Sequence, residues 1–414
     1  MSGDPVARRL HQNDNLTTTR STRFAVVTGG NGLHMEHRKS SRLFWSISLL
    51  CGLLLGVAIG DRNQAALAAP PRNAPDDITI TMLRQDGGRV DWSKSLNIIA
   101  YDRRDADGDF DVFFMNPDGS NDVCLTCSMS QFTGRHVGNP AWYPNGNFLA
   151  VQAEKAQHAG NSDYATPGLG VNNDIYLISR WGQILARLTD VAEGMGVLHP
   201  HFSGDGAMLT WAERIADSDT PTGIWALKVL YLNVHQPGGE NTILGTVFTY
   251  QPLGEILYET HGFTPDNEHL IFSAFRMPDD PAQSFMDIYK LNLSTGEVAP
   301  LTLSYDEWDE HAQFSPDGTR VLWMSSRDCD CNAYIPDDLF TDFWVMNASG
   351  ANKTRITFFN LPGHPHYIPD QRSVAADNDW SPDGTKAIIY IQVGTPNRPY
   401  DGSIALLTFP GTAP

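Results

Sequence analysis

The sequence predicts an all-β protein: a six-bladed β-propeller of four-stranded antiparallel blades, its ring closed by an N-terminal strand. Two observations predict it. An aromatic residue followed by a tight turn recurs six times, at Trp92, Trp142, Phe202, Phe263, Phe314 and Trp380. Two short apolar strands follow each turn, and four of the six units then close on a small segment ending in threonine.

Taken in order, residues 1–68 read as an N-terminal extension and export signal. Arg38, Lys39 and Arg42 precede the apolar run 43–60, and Ala66-Leu67-Ala68 offers small residues for cleavage after Ala68. Met35 as the true start would give the signal an ordinary length. The run is also just long enough to span a bilayer, so an uncleaved anchor is the alternative. In both cases the basic flank stays inside and the remainder is exported, to the periplasm or beyond the cell. Residues 69–77 form a linker and 78–414 the propeller.

The turn chemistry is clearest in Phe314-Ser315-Pro316-Asp317-Gly318 and Trp380-Ser381-Pro382-Asp383-Gly384. Proline presets φ, and glycine takes the left-handed conformation that the turn needs. The strands after the turns are expected at 97–102, 147–152, 207–212, 269–274, 320–325 and 386–391. In four units the next strand opens near an aspartate: Asp111, Asp174, Asp287 and Asp342. Thr126, Thr189, Thr302 and Thr357 end the closing segments of those four units. The sixth unit has no fourth strand after Thr408. The alternating Ile78-Thr79-Ile80-Thr81-Met82 is expected to supply it, which leaves no open sheet edge.

The repeat at 314–323, with Asp342-Phe343-Trp344-Val345-Met346-Asn347 and Arg355-Ile356-Thr357, resembles that of the TolB-like six-bladed propellers. The resemblance covers the chain from about residue 78 onward and implies the fold rather than an activity. TolB itself adds an N-terminal α/β domain, and nothing of that size precedes the repeats here. Related propellers sit in front of serine-hydrolase domains, but this sequence contains no Gly-x-Ser-x-Gly.

Charge narrows the partners. The formal net charge is −19, and residues 1–68 contribute +4, leaving −23 on the rest. Such a surface repels nucleic acid and anionic lipid. Membrane contact is expected only through the N-terminal segment, if it is uncleaved. Beyond the signal four cysteines form two close pairs, Cys124/Cys127 and Cys329/Cys331. In an oxidising compartment both are expected as disulfides, with metal binding or free thiols left open for the tighter second pair.

Candidate chemistry gathers on one face. Long insertions at 153–173, 213–227, 275–286, 327–341 and 358–376 all belong to the face opposite the Pro-Asp-Gly turns, which marks it for binding. His199, His201, His261 and His311 fall just before an anchor aromatic, on the innermost strands, and His136, His158, His364 and His366 lie in connections or insertions of that face. Glu259, Asp309, Glu310, Asp377 and Asp379 share the innermost positions, with Asn139 and Gln313. His199, His201, His261, His311, Asp377 and Asp379 are therefore candidate ligands of a divalent metal ion at the channel mouth, and His199 and His311 candidate catalytic residues. Polar filling of the channel is the plain alternative. Asp105, Asp107, Asp109 and Asp111 alternate around Gly108, a spacing of hard oxygen donors that suits Ca2+; a solvated turn is the plain alternative.

Two functions follow. The first is an exported scaffold that binds a protein or glycan partner through the loop-rich face. The second is a metal-dependent lyase or hydrolase acting on an acidic polysaccharide at a His/carboxylate centre, by analogy with the oligogalacturonate lyases, which are also propellers.

Overall fold

The chain is described here by a computed structural model covering residues 23–25 and 78–410, apart from 160–162, 218–222, 236–241, 277–284, 305, 330, 332–338, 370–371 and 395–401. The expected export signal, Met35 and the cleavage point after Ala68 lie outside the described residues.

Six antiparallel sheets follow one another along the chain. Blade one comprises Val90–Trp92, Ile99–Arg104, Phe110–Met115 and Val123–Cys124. Blade two comprises Val137–Trp142, Phe148–Glu154, Asn173–Ser179 and Ile184–Arg187. Blade three comprises Gly196–Phe202, Met208–Ala216, Ile224–His235 and Thr242–Tyr250, with the short Arg23–Ala25 paired outside the last of these. Blade four comprises Tyr258–Phe263, His269–Arg276, Phe285–Asn292 and Val298–Pro300. Blade five comprises Asp309–Phe314, Arg320–Ser325, Asp342–Asn347 and Thr354–Arg355. Blade six comprises Arg372–Trp380, Lys386–Gly394 and Gly402–Thr408, and takes its fourth strand from Thr79–Arg84. That strand runs antiparallel to the third, pairing Thr79 with Thr408 and Ile80 with Leu407. The ring closes as expected.

Two local devices repeat through the ring. In the turns of blades five and six, Ser315 and Ser381 accept the backbone N–H of Arg320 and Lys386, at 3.0 and 2.9 Å. Asp317 and Asp383 accept the N–H two residues on, each at 3.0 Å. The second device explains the recurring aspartate and threonine. Thr357 donates to Asp342 at 2.7 Å while accepting the N–H of Phe343 at 2.8 Å. Thr302 and Asp287 do the same, as do Thr189 with Asp174 and Thr126 with Asp111. The expected closing strands are shorter than foreseen, because the threonine sits beyond the last paired residue and holds by its side chain. Blade three lacks such a latch and instead has a nine-residue fourth strand that no sequence signal announced.

Apolar side chains fill the spaces between blades. Trp323 of blade five is fully buried with Ile271 and Ile288 of blade four, and Trp211 of blade three with Ala150 and Ile175 of blade two. Burying a large side chain this way stabilises by roughly 1.5–3 kcal/mol.

Candidate functional site

The innermost strands line the channel, and five of them carry the same one-residue bulge. In blade three the pairing steps from Leu198↔Ala212 to His201↔Thr210, three residues against two. Blades two, four, five and six shift at the corresponding place. A bulge turns its extra residue away from the sheet's regular alternation. In blades two, three and five that residue is Asn139, His199 and His311, with φ of 49°, 49° and 52°. Left-handed backbone away from glycine is uncommon, and for a side chain in a strand it is held only by its surroundings. The neighbouring blades provide the hold. Thr260 donates to the His199 carbonyl at 2.6 Å, and the Asn378 amide to the His311 carbonyl at 2.6 Å.

The bulges bring three imidazoles together. His199, His261 and His311 each place a ligand nitrogen within 4.8 Å of the others, and their ring centroids lie 5.5 to 6.3 Å apart. Two of the rings have a partner on one nitrogen: His261 Nε2 shares a 2.7 Å hydrogen bond with Ser273 Oγ, and His311 Nδ1 lies 3.4 Å from Asp377, whereas His199 Nδ1 lies 3.4 Å from Glu259 without a hydrogen bond. Such partners fix ring orientation and leave the other nitrogen for a ligand. Glu259, Glu310 and His311 form a second group within 4.8 Å, and Trp308 Nε1 donates to Glu310 at 2.6 Å.

Burial sets the charges. It pushes His199 down to about 3 and His201 to about 4, and His261 well below the ordinary value, so these rings are neutral near pH 7. His311 also suffers burial, but the Asp377 carboxylate lifts it above the ordinary value. Burial works against Asp377 as an anion, yet His311, His199 and Arg89 hold it well below the usual carboxylate range. Glu259 and Glu310 are both raised, by burial first, and Glu259 next by the Glu310 charge beside it.

The structure sorts the expected residues. His199, His261 and His311 converge, with Asp377 against His311. His201 stands outside this triad. Asp379 accepts the Trp92 N–H at 2.7 Å and Lys94 Nζ at 2.6 Å, joining blade six to blade one. His136 accepts the Phe110 N–H at 3.1 Å, His158 lies 4.0 Å from Glu193, and His364 stacks on Phe358 at 4.2 Å with His366 beside it. Of the four aspartates expected to suit Ca2+, Asp111 is engaged by Thr126, Asp105 accepts the Asp107 N–H at 2.9 Å, and Asp109 lies 3.6 Å from His136.

Sequence reasoning passed over Arg89 and Asp102. Arg89 stands three residues before Trp92, the register that His199 and His311 occupy before Phe202 and Phe314. Asp102 is fully buried and accepts the N–H of Arg89 at 3.1 Å and of Asn139 at 2.9 Å, tying blade one to blade two at the level of the histidines. The two cysteine pairs, Cys124–Cys127 and Cys329–Cys331, are each placed as a disulfide.

With this geometry in hand, known proteins can be set beside the chain. No protein-family model matches it, and no curated protein matches it in sequence. Solved structures do. TolB from Acinetobacter baumannii is 15% identical with a TM-score of 0.47, over 77% of this chain and 65% of that one, so the chain spans somewhat under two thirds of TolB's length. An oligogalacturonate lyase in complex with manganese is 12% identical with a TM-score of 0.41, over 82% and 92%. A gluconolactonase from Xanthomonas campestris is 13% identical with a TM-score of 0.46, over 81% and 91%. The fold is a six-bladed propeller similar to the TolB-like ones. Likeness at this level describes the fold, and function has to be argued from the channel. Among the described residues no helix is long and apolar enough to cross a membrane.

Proposed function

We propose that His199, His261 and His311 hold a divalent transition metal in the channel, and that the protein is an exported metal-dependent lyase or hydrolase acting on an acidic polysaccharide. The observation that carries this reading is the convergence of three imidazole nitrogens within 4.8 Å, two of the rings buried and one part-buried, on backbone strained at two of them. Three imidazoles with further positions open are the donor set of catalytic zinc and related sites, and His311 would give up its proton as the metal binds. The metal would supply Lewis-acid polarisation of a bound oxygen.

The chain's own groups supply the rest. Ser273 and Asp377 orient two of the rings. Of the buried Glu259–Glu310 pair, both raised toward neutrality, a carboxylate can accept a proton from substrate and return it. Arg89, whose charge acts on Asp377, His199 and Glu259, gives the site a fixed cation suited to an anionic sugar. The test is turnover of acidic oligosaccharides by metal-loaded and chelator-stripped protein. Activity restored only by added metal, and abolished in Glu259→Gln with metal still bound, is the expected result. Turnover indifferent to chelation contradicts the reading.

A protein or glycan partner on the loop-rich face is a second reading, favoured by the insertions 153–173, 213–227, 275–286, 327–341 and 358–376. Each is described only in part, 358–376 all but its residues 370–371. Replacing 361–369, which ends before the strand Arg372–Trp380, should then abolish partner capture while leaving the channel intact.

A further inference from the structure

Blade one carries a disulfide that the latch it flanks does not require. Thr126, fully buried, binds Asp111 and the N–H of Val112, and it stands between Cys124 and Cys127. Blades two, four and five build the same latch from Thr189, Thr302 and Thr357, and no cysteine neighbours any of these. The bridge closes over only two residues, so it restrains the unfolded chain less than a long-range staple would.

The two sulfurs are placed differently. Cys127 is exposed, whereas Cys124 is half-buried at the end of the fourth strand. The Cys127 N–H donates to Cys124 Sγ at 3.0 Å. A donor on sulfur favours its thiolate and so makes Cys124 the better leaving group, while exposure makes Cys127 the sulfur that an incoming thiolate reaches. The Asp111 carboxylate lies within 4.8 Å of both sulfurs, where it can take up or return a thiol proton.

We propose that Cys124 and Cys127 form an exchange-competent redox pair whose substrate is a dithiol. A substrate thiolate attacks Cys127 Sγ, the Cys124–Cys127 bond breaks, and Cys124 leaves as a thiolate. The second substrate thiolate then attacks the substrate sulfur of the mixed disulfide and releases Cys127. The substrate loses two electrons and two protons and becomes a disulfide, and the pair gains them as two thiols. This site is some blades away from the histidines and does not depend on the channel's chemistry.

The test uses the oxidised full chain with reduced glutathione as probe, rapid alkylation, and peptide mass spectrometry. Glutathione should be found on Cys127 with the alkyl group on Cys124. Exchange there should outpace that at Cys329–Cys331, both half-buried, by about ten-fold or more, while circular dichroism keeps its β signature. Cys124→Ser, given oxidised glutathione in place of the reduced form, should accumulate a stable Cys127 adduct as one glutathione thiolate leaves, because no resolving thiol remains. An adduct on Cys124 instead, or a pair that stays oxidised until the chain unfolds, overturns the proposal.

Discussion

Asp342 and Thr357 show what a single residue pair does in this fold. Asp342 is buried and accepts two hydrogen bonds, from Thr357 Oγ1 and from the Phe359 N–H, besides its ion pair with Arg355 at 2.7 Å. Thr357→Val keeps the shape and removes the hydroxyl, leaving a buried acceptor and the Phe343 N–H short of a partner. The expected cost is about 1–3 kcal/mol, read as a lower urea midpoint with unchanged slope. Asp91 gives a pH-dependent counterpart. Burial, then the Asp379 carboxylate beside it, pushes Asp91 up to about 8. A carboxyl whose folded value is raised contributes stability below the unfolded value near 4 and loses it as pH rises through 8. Wild type should therefore lose stability between pH 5 and 8.5, and Asp91→Asn should lose less over that range, by thermal melts at both pH values. At this scale the sequence was partly readable. The histidines stood out by residue type and by distance from an anchor aromatic, as did the carboxylates beside them. Arg89 and Asp102 did not, because an arginine before a tryptophan and an aspartate within an apolar strand carry no mark of a shared channel until the blades are wound together.

The innermost strand, with its bulge, is the element that makes the site. Alternation alone would direct only every second side chain to the channel. The extra residue breaks that rule and admits His199 and His311 at positive φ. No sequence signal marks a bulge of this kind, so the sequence places these residues on the innermost strands without showing which of them stand at positive φ. Blade three's long fourth strand was missed for a related reason: without an aspartate–threonine latch the segment lacked the only cue used for the others. The ring-closing strand was readable, because its alternation and the missing fourth strand of blade six pointed to each other. Deleting residues 79–84 should expose the free edge of Gly402–Thr408. The truncated chain is expected to aggregate or to melt well below the full one, whereas equal melting would show that closure contributes nothing.

The whole molecule places six innermost strands around one channel, and the residues that meet there come from every part of the sequence. Arg89 lies in blade one, Asn139 in blade two, His199 in blade three, Glu259 and His261 in blade four, Glu310 and His311 in blade five, and Asp377 in blade six. Only ring closure brings the first and last of these together. Repeat period, turn chemistry and strand pattern made the fold legible. Which of the expected channel residues meet was not, since it depends on the rotation of each blade: His199, His261 and His311 come together, and His201 and Asp379 do not join them. The most direct test of the metal site is elemental mass spectrometry of the purified protein beside its His199/His311 double alanine variant, both with circular dichroism of a folded propeller. About one equivalent of a transition metal in the wild type and none in the variant is the expected result. A wild type that holds no metal after reloading, or a variant that holds as much, would contradict a metal centre on these histidines.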